Sequence, residues 1–136
     1  MASIESTSTP PTARPLSPHL GIYRFTLTMA MSIAHRFSGA GLYFGALLLA
    51  WFLLAASTDA AAFAYFSGFI QSIFGRLILF GFTWALFQHL LGGVRHLILD
   101  AGYGMDDPER EQMAQATLIG GFVLTIVVWA IVYAVG

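Results

Sequence analysis

The sequence predicts an all-α membrane protein built from three transmembrane helices, with its N-terminus on the inner side of the membrane. Composition is the first observation: 57% of the 136 residues are hydrophobic and only 10% are charged, whereas a typical soluble domain is roughly 25% charged. The second is a set of long uncharged stretches, each near the ~20 residues that a spanning helix requires. The mean hydropathy of +0.74 agrees with both, and the length favours a single domain.

The N-terminal segment, residues 1–18, is predicted to be a flexible cytoplasmic tail. It is rich in Ser, Thr and Pro and has no apolar core, so it does not have the pattern of a cleavable signal peptide. The transmembrane domain is expected over residues 19–136, with its first span at about 30–58. Small residues in that span favour close helix packing: Gly39, Gly41, Gly45 and Ala46.

The region 60–94 is apolar throughout except for Arg76. One helix of that length would exceed the roughly 30 Å hydrocarbon core, and the region has no turn long enough to make two spans. We therefore expect residues 60–75 to form an outer, partly interfacial connection, where aromatic side chains are favoured. The second span, at about 70–100, then crosses from Arg76 to Arg95, whose side chains are expected to snorkel to opposite interfaces.

The third span is expected at about 109–136, with Asp107 as its helix cap and Pro108 in its first turn. The distribution of arginines then predicts orientation, because positive residues favour the cytoplasmic side. These arginines share the side of the N-terminus: Arg14, Arg24, Arg36, Arg95 and Arg110. The opposite side has only Arg76. The N-terminus is therefore expected in the cytoplasm, or in the matrix of a mitochondrion.

The second span carries ionisable residues at a depth where they are costly and usually functional. His89 and His96 are seven residues apart on one helix face, and Gly93 lies between them on that face. Such a face is bare beside His89 and would let a flat macrocycle approach, and imidazole is the usual protein ligand of haem iron. Alternatively, His89 is a polar packing residue bonded to a Ser or Thr across helices, and Arg95 is only a positive-inside anchor.

A second polar stripe begins the first span. Ser32, His35, Arg36 and Gly39 stand at positions i, i+3, i+4 and i+7, on one face of one helix. The stripe is expected at the same inner-interface level as His96. Hydrogen-bond donors of this kind suit haem propionates or the oxygens of a quinone. The alternative is an ordinary helix start with a snorkelling arginine.

Three sequence motifs follow one another along the chain. The first reads RPLSPHL at residues 14–20, followed by Ile22 and Tyr23. The second reads SIAHR at residues 32–36 and is closed by SG at 38–39. The third is His89 followed by GVRHL at residues 93–97, with Asp100, Gly102 and Tyr103 beyond it. Together they resemble the cytochrome b membrane-anchor subunits of succinate dehydrogenase (succinate:quinone oxidoreductase, respiratory complex II), over residues 14–136.

The resemblance implies residue roles. His89 matches an axial ligand to the iron of haem b, and the second axial histidine would come from another small anchor subunit, so that the haem lies between two chains. His35, Arg36 and His96 match positions near the haem propionates, and Arg95, expected at the same level, is predicted to join them. Ubiquinone would bind near Arg36 and near Ser32, one turn before it.

The implied function is electron transfer from succinate to the quinone pool, with no catalytic residue in this chain. A flavoprotein subunit would oxidise succinate, and an iron–sulfur subunit would pass the electrons to ubiquinone where it meets the anchors. The chain has no cysteine, which agrees with this division, because iron–sulfur clusters need thiolate ligands. Its own role would be to anchor, to hold one side of the haem and to form part of the quinone site. A nucleic-acid partner is not expected.

Two other functions remain open from the sequence: the anchor of a fumarate reductase working in the reverse direction, and a small helical membrane scaffold without a cofactor. A transport pathway is disfavoured, because three spans are few and no inverted repeat is visible. The short lead before the first motif favours a bacterial inner (cytoplasmic) membrane over a mitochondrial one.

Overall fold

The computed structural model describes residues 21–135 and, within them, four α-helices: α1 (Leu27–Thr58), α2 (Ala60–Gln71), α3 (Ile73–Asp100) and α4 (Asp107–Val135). Three of these, α1, α3 and α4, are long and apolar enough to cross a membrane. Between residues 21 and 135 there is no strand. The all-α class with three spans is therefore confirmed. The predicted tail at 1–18 and the motif at 14–20 lie outside the described residues, so the division into tail and transmembrane domain stays a prediction.

Polar side chains mark the start of each of the first three helices. The Thr26 hydroxyl accepts from Met29 N–H at 3.4 Å before α1, and Asp59 Oδ1 accepts from Ala62 N–H at 2.7 Å before α2. The Ser72 hydroxyl accepts from Gly75 N–H at 3.1 Å before α3. Each bond satisfies one of the backbone donors that a helix N-terminus leaves free. The chain therefore turns sharply at single residues, Asp59 and Ser72, rather than through loops.

The outer connection, expected as a partly interfacial segment, is largely the helix α2. Its Phe66 is buried and packs against the Trp51 indole of α1, with ring centroids 5.0 Å apart. At its end, a side chain at Gly75 would overlap the Phe69 carbonyl, so a glycine is needed for α3 to begin so soon. The aromatic residues of this segment thus close the end of the bundle where α1 ends and α3 begins, by packing on α1.

Helix α3 is the central helix and contacts all the others. A side chain at Gly45 of α1 would overlap the Phe82 ring of α3, which confirms the close packing predicted from small residues, whereas Ala46 is exposed. On its other side α3 packs against α4, where Trp129 Nε1 donates to the Thr83 hydroxyl at 3.3 Å.

The connection from α3 to α4 is a short turn containing Gly102 and Gly104, whose φ angles of 86° and 71° lie in the left-handed region. Helix α4 begins at Asp107 itself, and the Asp106 carbonyl accepts from Arg110 N–H at 2.9 Å. The prediction of Asp107 as the cap was therefore wrong by one residue, because the first helical hydrogen bond already starts at Asp106. Pro108 does lie in the first turn, as predicted.

Candidate functional site

Helices α1 and α3 bring the three histidines predicted as site residues together, near the end of the bundle where α1 starts and α3 ends. The rings of His35 and His89 stack, with centroids 4.0 Å apart and planes inclined by 8°. The ring of His96 meets His35 edge-on, at a centroid distance of 5.1 Å and an angle of 63°. The sequence placed these residues on two separate helices, and the structure joins them into one cluster, which we call the histidine cluster.

The imidazole of His89 is oriented by the backbone and a hydroxyl of α1. Its Nδ1 lies 3.1 Å from the His35 carbonyl oxygen and 3.2 Å from Ser38 Oγ. Because a carbonyl oxygen only accepts, Nδ1 must carry the proton and donate. In the neutral ring the other nitrogen, Nε2, then has a free lone pair. The arrangement of α1 therefore presents His89 as a ligand or acceptor through Nε2.

Glycines shape the space around the cluster. A Cβ at Gly39 would lie 3.1 Å from His89 Cε1, and a Cβ at Gly92 would lie 2.5 Å from His35 Nδ1. These two glycines make room for the stacked rings. By contrast, a Cβ at Gly93 would meet nothing within 4 Å. The bare surface that the sequence predicted between His89 and His96 is therefore present at Gly93, while Gly92 serves the packing of α1.

The remaining residues of the stripe on α1 stay accessible. Arg36 is exposed and Ser32 is half-buried, and they lie one helical turn apart. His96 on α3 is exposed as well. The first turns of α1 and the last turns of α3 therefore carry accessible hydrogen-bond donors at the same end of the bundle as the histidine cluster.

Arg95 differs from the expectation that it snorkels to the interface. It is only 8% exposed, because it lies at the contact between α3 and α4. Together with Met113 and Thr117 of α4 it lines a groove of about 170 Å³. Arg95 comes six residues after His89, so its side chain leaves α3 about a third of a turn away from that of His89 around the helix axis. Its Nε and Nη1 are buried without a hydrogen-bond partner among residues 21–135.

Two buried polar residues were not singled out by the sequence analysis. Ser38 of α1 is 4% exposed and contacts His89. Gln88 of α3 is 1% exposed and faces α4. A Cβ at Gly121 of α4 would be 2.7 Å from Gln88 Oε1. Ser38 stood in the second motif only as its closing residue, and its spacing of three residues from His35 is the signal that could have found it. Gln88 gave a weaker signal, as an isolated amide in an apolar run.

The fold and the histidine cluster define a polytopic helical membrane protein with an imidazole oriented through its Nδ1 at a helix–helix junction. Comparison with known proteins identifies the family. Residues 10–128 match the family "Succinate dehydrogenase/Fumarate reductase transmembrane subunit". The chain therefore belongs to that family, and it is a multi-pass membrane protein.

Similar proteins occur in bacteria and in mitochondria. The chain is 44% identical over 113 residues to the succinate dehydrogenase cytochrome b556 subunit of Paracoccus denitrificans, covering 83% of this chain and 87% of that one. It is 32% identical over 116 residues to the protein of the same name from Rickettsia felis, covering 85% and 90%. It is 39% identical over 111 residues to the mitochondrial cytochrome b560 subunit of Sus scrofa, covering 78% and 64%.

Proposed function

We propose that this chain is the cytochrome b membrane-anchor subunit of a succinate dehydrogenase, which binds one side of haem b and supports electron transfer from succinate to ubiquinone. Family membership and the names of the similar proteins support the anchor role. The observation that carries the cofactor assignment is the orientation of His89, whose Nδ1 is engaged by α1 and whose Nε2 is thereby left as a lone-pair donor.

The residues fit a haem. Iron in a b-type haem needs only an axial imidazole from each side, since the porphyrin occupies the other positions. A histidine that ligates a metal typically donates its second nitrogen to a backbone carbonyl or a similar acceptor, and His89 does so. The open surface at Gly93 leaves room beside it. When bound, the haem would supply a one-electron redox centre, and this chain would supply His89 as the ligand to its iron.

The haem propionates would be met by the donors around the histidine cluster. His35, Arg36 and His96 are proposed for this role, and His35 Nδ1 is buried without a partner among the described residues. Arg95 is also proposed for this role, because its buried Nε and Nη1 have no hydrogen-bond partner among residues 21–135, although it lies on the α4 side of α3. Charge-assisted hydrogen bonds from such groups to carboxylates are among the stronger ones in proteins.

Ubiquinone would bind near the start of α1, with Ser32 and Arg36 as hydrogen-bond donors to its oxygens and its tail in lipid. Both residues are accessible. They lie within one turn of His35, whose carbonyl oxygen contacts His89 Nδ1. Electrons would arrive from an iron–sulfur subunit that meets the anchors at this end, after a flavoprotein subunit has oxidised succinate. This chain breaks no substrate bond itself.

The assembly follows from the same proposal. A second small anchor subunit would supply the other axial histidine from across the haem, and the remaining exposed apolar side chains of α1 and α4 would face lipid or that subunit. The N-terminus would face the cytoplasm, with the chain in a bacterial inner membrane. Anchoring a fumarate reductase is the second candidate, because the matched family covers both enzymes.

The test is the reduced-minus-oxidised spectrum of membranes that contain the whole complex. His89→Ala should remove the b-type haem band while the subunit remains in the membrane. His96→Ala should keep iron bound and alter the band or its potential. An unchanged band in His89→Ala would leave His89 as a packing residue and would show that the complex holds its haem without this side chain. Relative rates of succinate oxidation and fumarate reduction by the purified complex separate the two enzymes.

A further inference from the structure

The Ser38 hydroxyl joins the two histidines whose rings stack. Its Oγ donates to the His35 carbonyl oxygen at 2.8 Å and lies 3.2 Å from His89 Nδ1. A hydroxyl has one hydrogen and two lone pairs. Because that hydrogen is directed to the carbonyl, the lone pairs remain for the Nδ1–H of His89. Ser38 is also buried, at 4% exposure, so water does not replace this contact readily.

We propose that Ser38 is a positioning residue for His89, which sets the orientation of the imidazole and the basicity of its Nε2. This inference rests on the proposed function, in which Nε2 binds the haem iron. Acceptors placed behind a metal-bound histidine fix its tautomer and raise its strength as a ligand. Ser38 and the His35 carbonyl are the two such acceptors on Nδ1 among the described residues.

Packing alone does not hold the ring in one rotation. The His35 ring covers one face of His89, and Gly39 lies beside Cε1. A half-turn about the Cβ–Cγ bond leaves the ring in the same plane and keeps the stack, but it exchanges Nδ1 with Cδ2 and Nε2 with Cε1. The hydrogen bonds at Nδ1 are directional, so they define the direction in which Nε2 points. Without the Ser38 oxygen, Nδ1–H keeps only the carbonyl, and Nε2 becomes a weaker donor to iron.

Ferric iron depends on a strong axial donor more than ferrous iron does, so a weaker donor destabilises the ferric state more than the ferrous state. Ser38→Ala should therefore shift the haem midpoint potential to a more positive value, and it should shift the largest g value of the low-spin ferric haem in electron paramagnetic resonance. Ser38→Thr keeps a hydroxyl and should remain near the wild-type values. Both are measured in the assembled complex in membranes, together with haem content.

Ser57→Ala is the matched control. Ser57 lies on the same helix, and its hydroxyl likewise donates to the carbonyl three residues earlier, that of Leu54, at 3.0 Å. It is exposed and far along α1 from the histidine cluster. This variant should leave the potential and the g value unchanged, which separates the loss of a helix hydroxyl from the loss of the contact with His89.

The outcomes separate the positioning role of Ser38 from the proposed binding of haem by His89. Wild-type potential and g value in Ser38→Ala, with haem lost in His89→Ala, would overturn the role of Ser38 and leave the proposed function standing. The role of Ser38 would also be overturned if the midpoint potential of Ser38→Thr shifted as far as that of Ser38→Ala. Haem retained in His89→Ala would overturn the proposed function itself. Should Ser38→Ala fail to assemble, Ser38→Cys decides instead, because a thiol of similar size is a poor acceptor and should still raise the potential.

Discussion

His35 stacks on His89 because α3 has no side chain at Gly92. The two rings are 4.0 Å apart between centroids and inclined by 8°, and a Cβ at Gly92 would lie 2.5 Å from His35 Nδ1. The ring of His35 thus occupies the space that a larger residue would fill on α3. The geometry of the histidine cluster therefore depends on a glycine that carries no functional group.

Gly92→Ala should displace His35 and loosen the contact between α1 and α3. Forcing a methyl group into a packed contact typically costs about 1–3 kcal/mol. We expect a lower unfolding temperature for the purified complex and a reduced haem content. The measurement is a thermal ramp followed by the haem absorbance and by the fraction of subunit that remains soluble.

Gly93→Ala, one residue further on, is the control for that substitution. Its Cβ would meet nothing within 4 Å in this chain, and alanine in a helix is more favourable than glycine by about 0.5–1 kcal/mol. The subunit should therefore remain folded, while haem content falls if the macrocycle lies against this surface. A Gly92→Ala complex as stable as Gly93→Ala would contradict the packing described above.

Gly121→Ala should weaken the contact between α3 and α4. Its Cβ would lie 2.7 Å from Gln88 Oε1 and 3.3 Å from Gln88 Cα, so a shift of the amide alone does not relieve the crowding. We expect a destabilisation of about 1–3 kcal/mol. Gly81→Ala, whose Cβ would meet nothing within 4 Å, should be neutral or slightly stabilising. Equal unfolding temperatures for the two variants would show that α4 approaches α3 less closely.

Gln88→Leu should be neutral or stabilising. The amide is 1% exposed, and both its oxygen and its nitrogen lack a partner among residues 21–135. A buried polar group without a hydrogen bond costs roughly 1–3 kcal/mol, which leucine does not incur. Gln88→Glu, of the same shape, should be strongly destabilising, since it adds a buried charge. A marked loss of stability in Gln88→Leu would reveal a partner for the amide in the assembled complex.

Ser32→Ala and Arg36→Leu should slow the reduction of ubiquinone more than the reduction of an artificial dye by the soluble subunits. Losing a hydrogen bond from a charged group costs about 1.5–3 kcal/mol, which corresponds to roughly a ten- to hundredfold loss of rate for Arg36→Leu. The neutral hydroxyl of Ser32 should matter less. Ser57→Ala serves again as the control, and an equal loss in both assays would indicate failed assembly instead.

Many of these features were accessible from local pattern. Apolar runs of sufficient length predicted α1, α3 and α4 as spans, because a bilayer requires that length whatever the partner. The spacing of Ser32, His35, Arg36 and Gly39 placed them on one stripe, and that of His89 and His96 on another. The aromatic segment after Thr58 was recognised as a connection between two spans, and its outer location stays a prediction. Its helix, α2, was missed because short apolar runs do not distinguish helix from loop.

Sequence alone determined the membrane class, the three spans and the two polar helix faces, since length, hydropathy and helical period are properties of a segment by itself. Only the tertiary structure decided what lies opposite each face. Arg95 was expected at the interface, yet α4 buries it, and Gln88 and Ser38 gained their importance from neighbours on other helices. The reason is that burial and hydrogen bonding between helices depend on their relative rotation and on the small residues at their contacts, which no periodicity within one helix specifies.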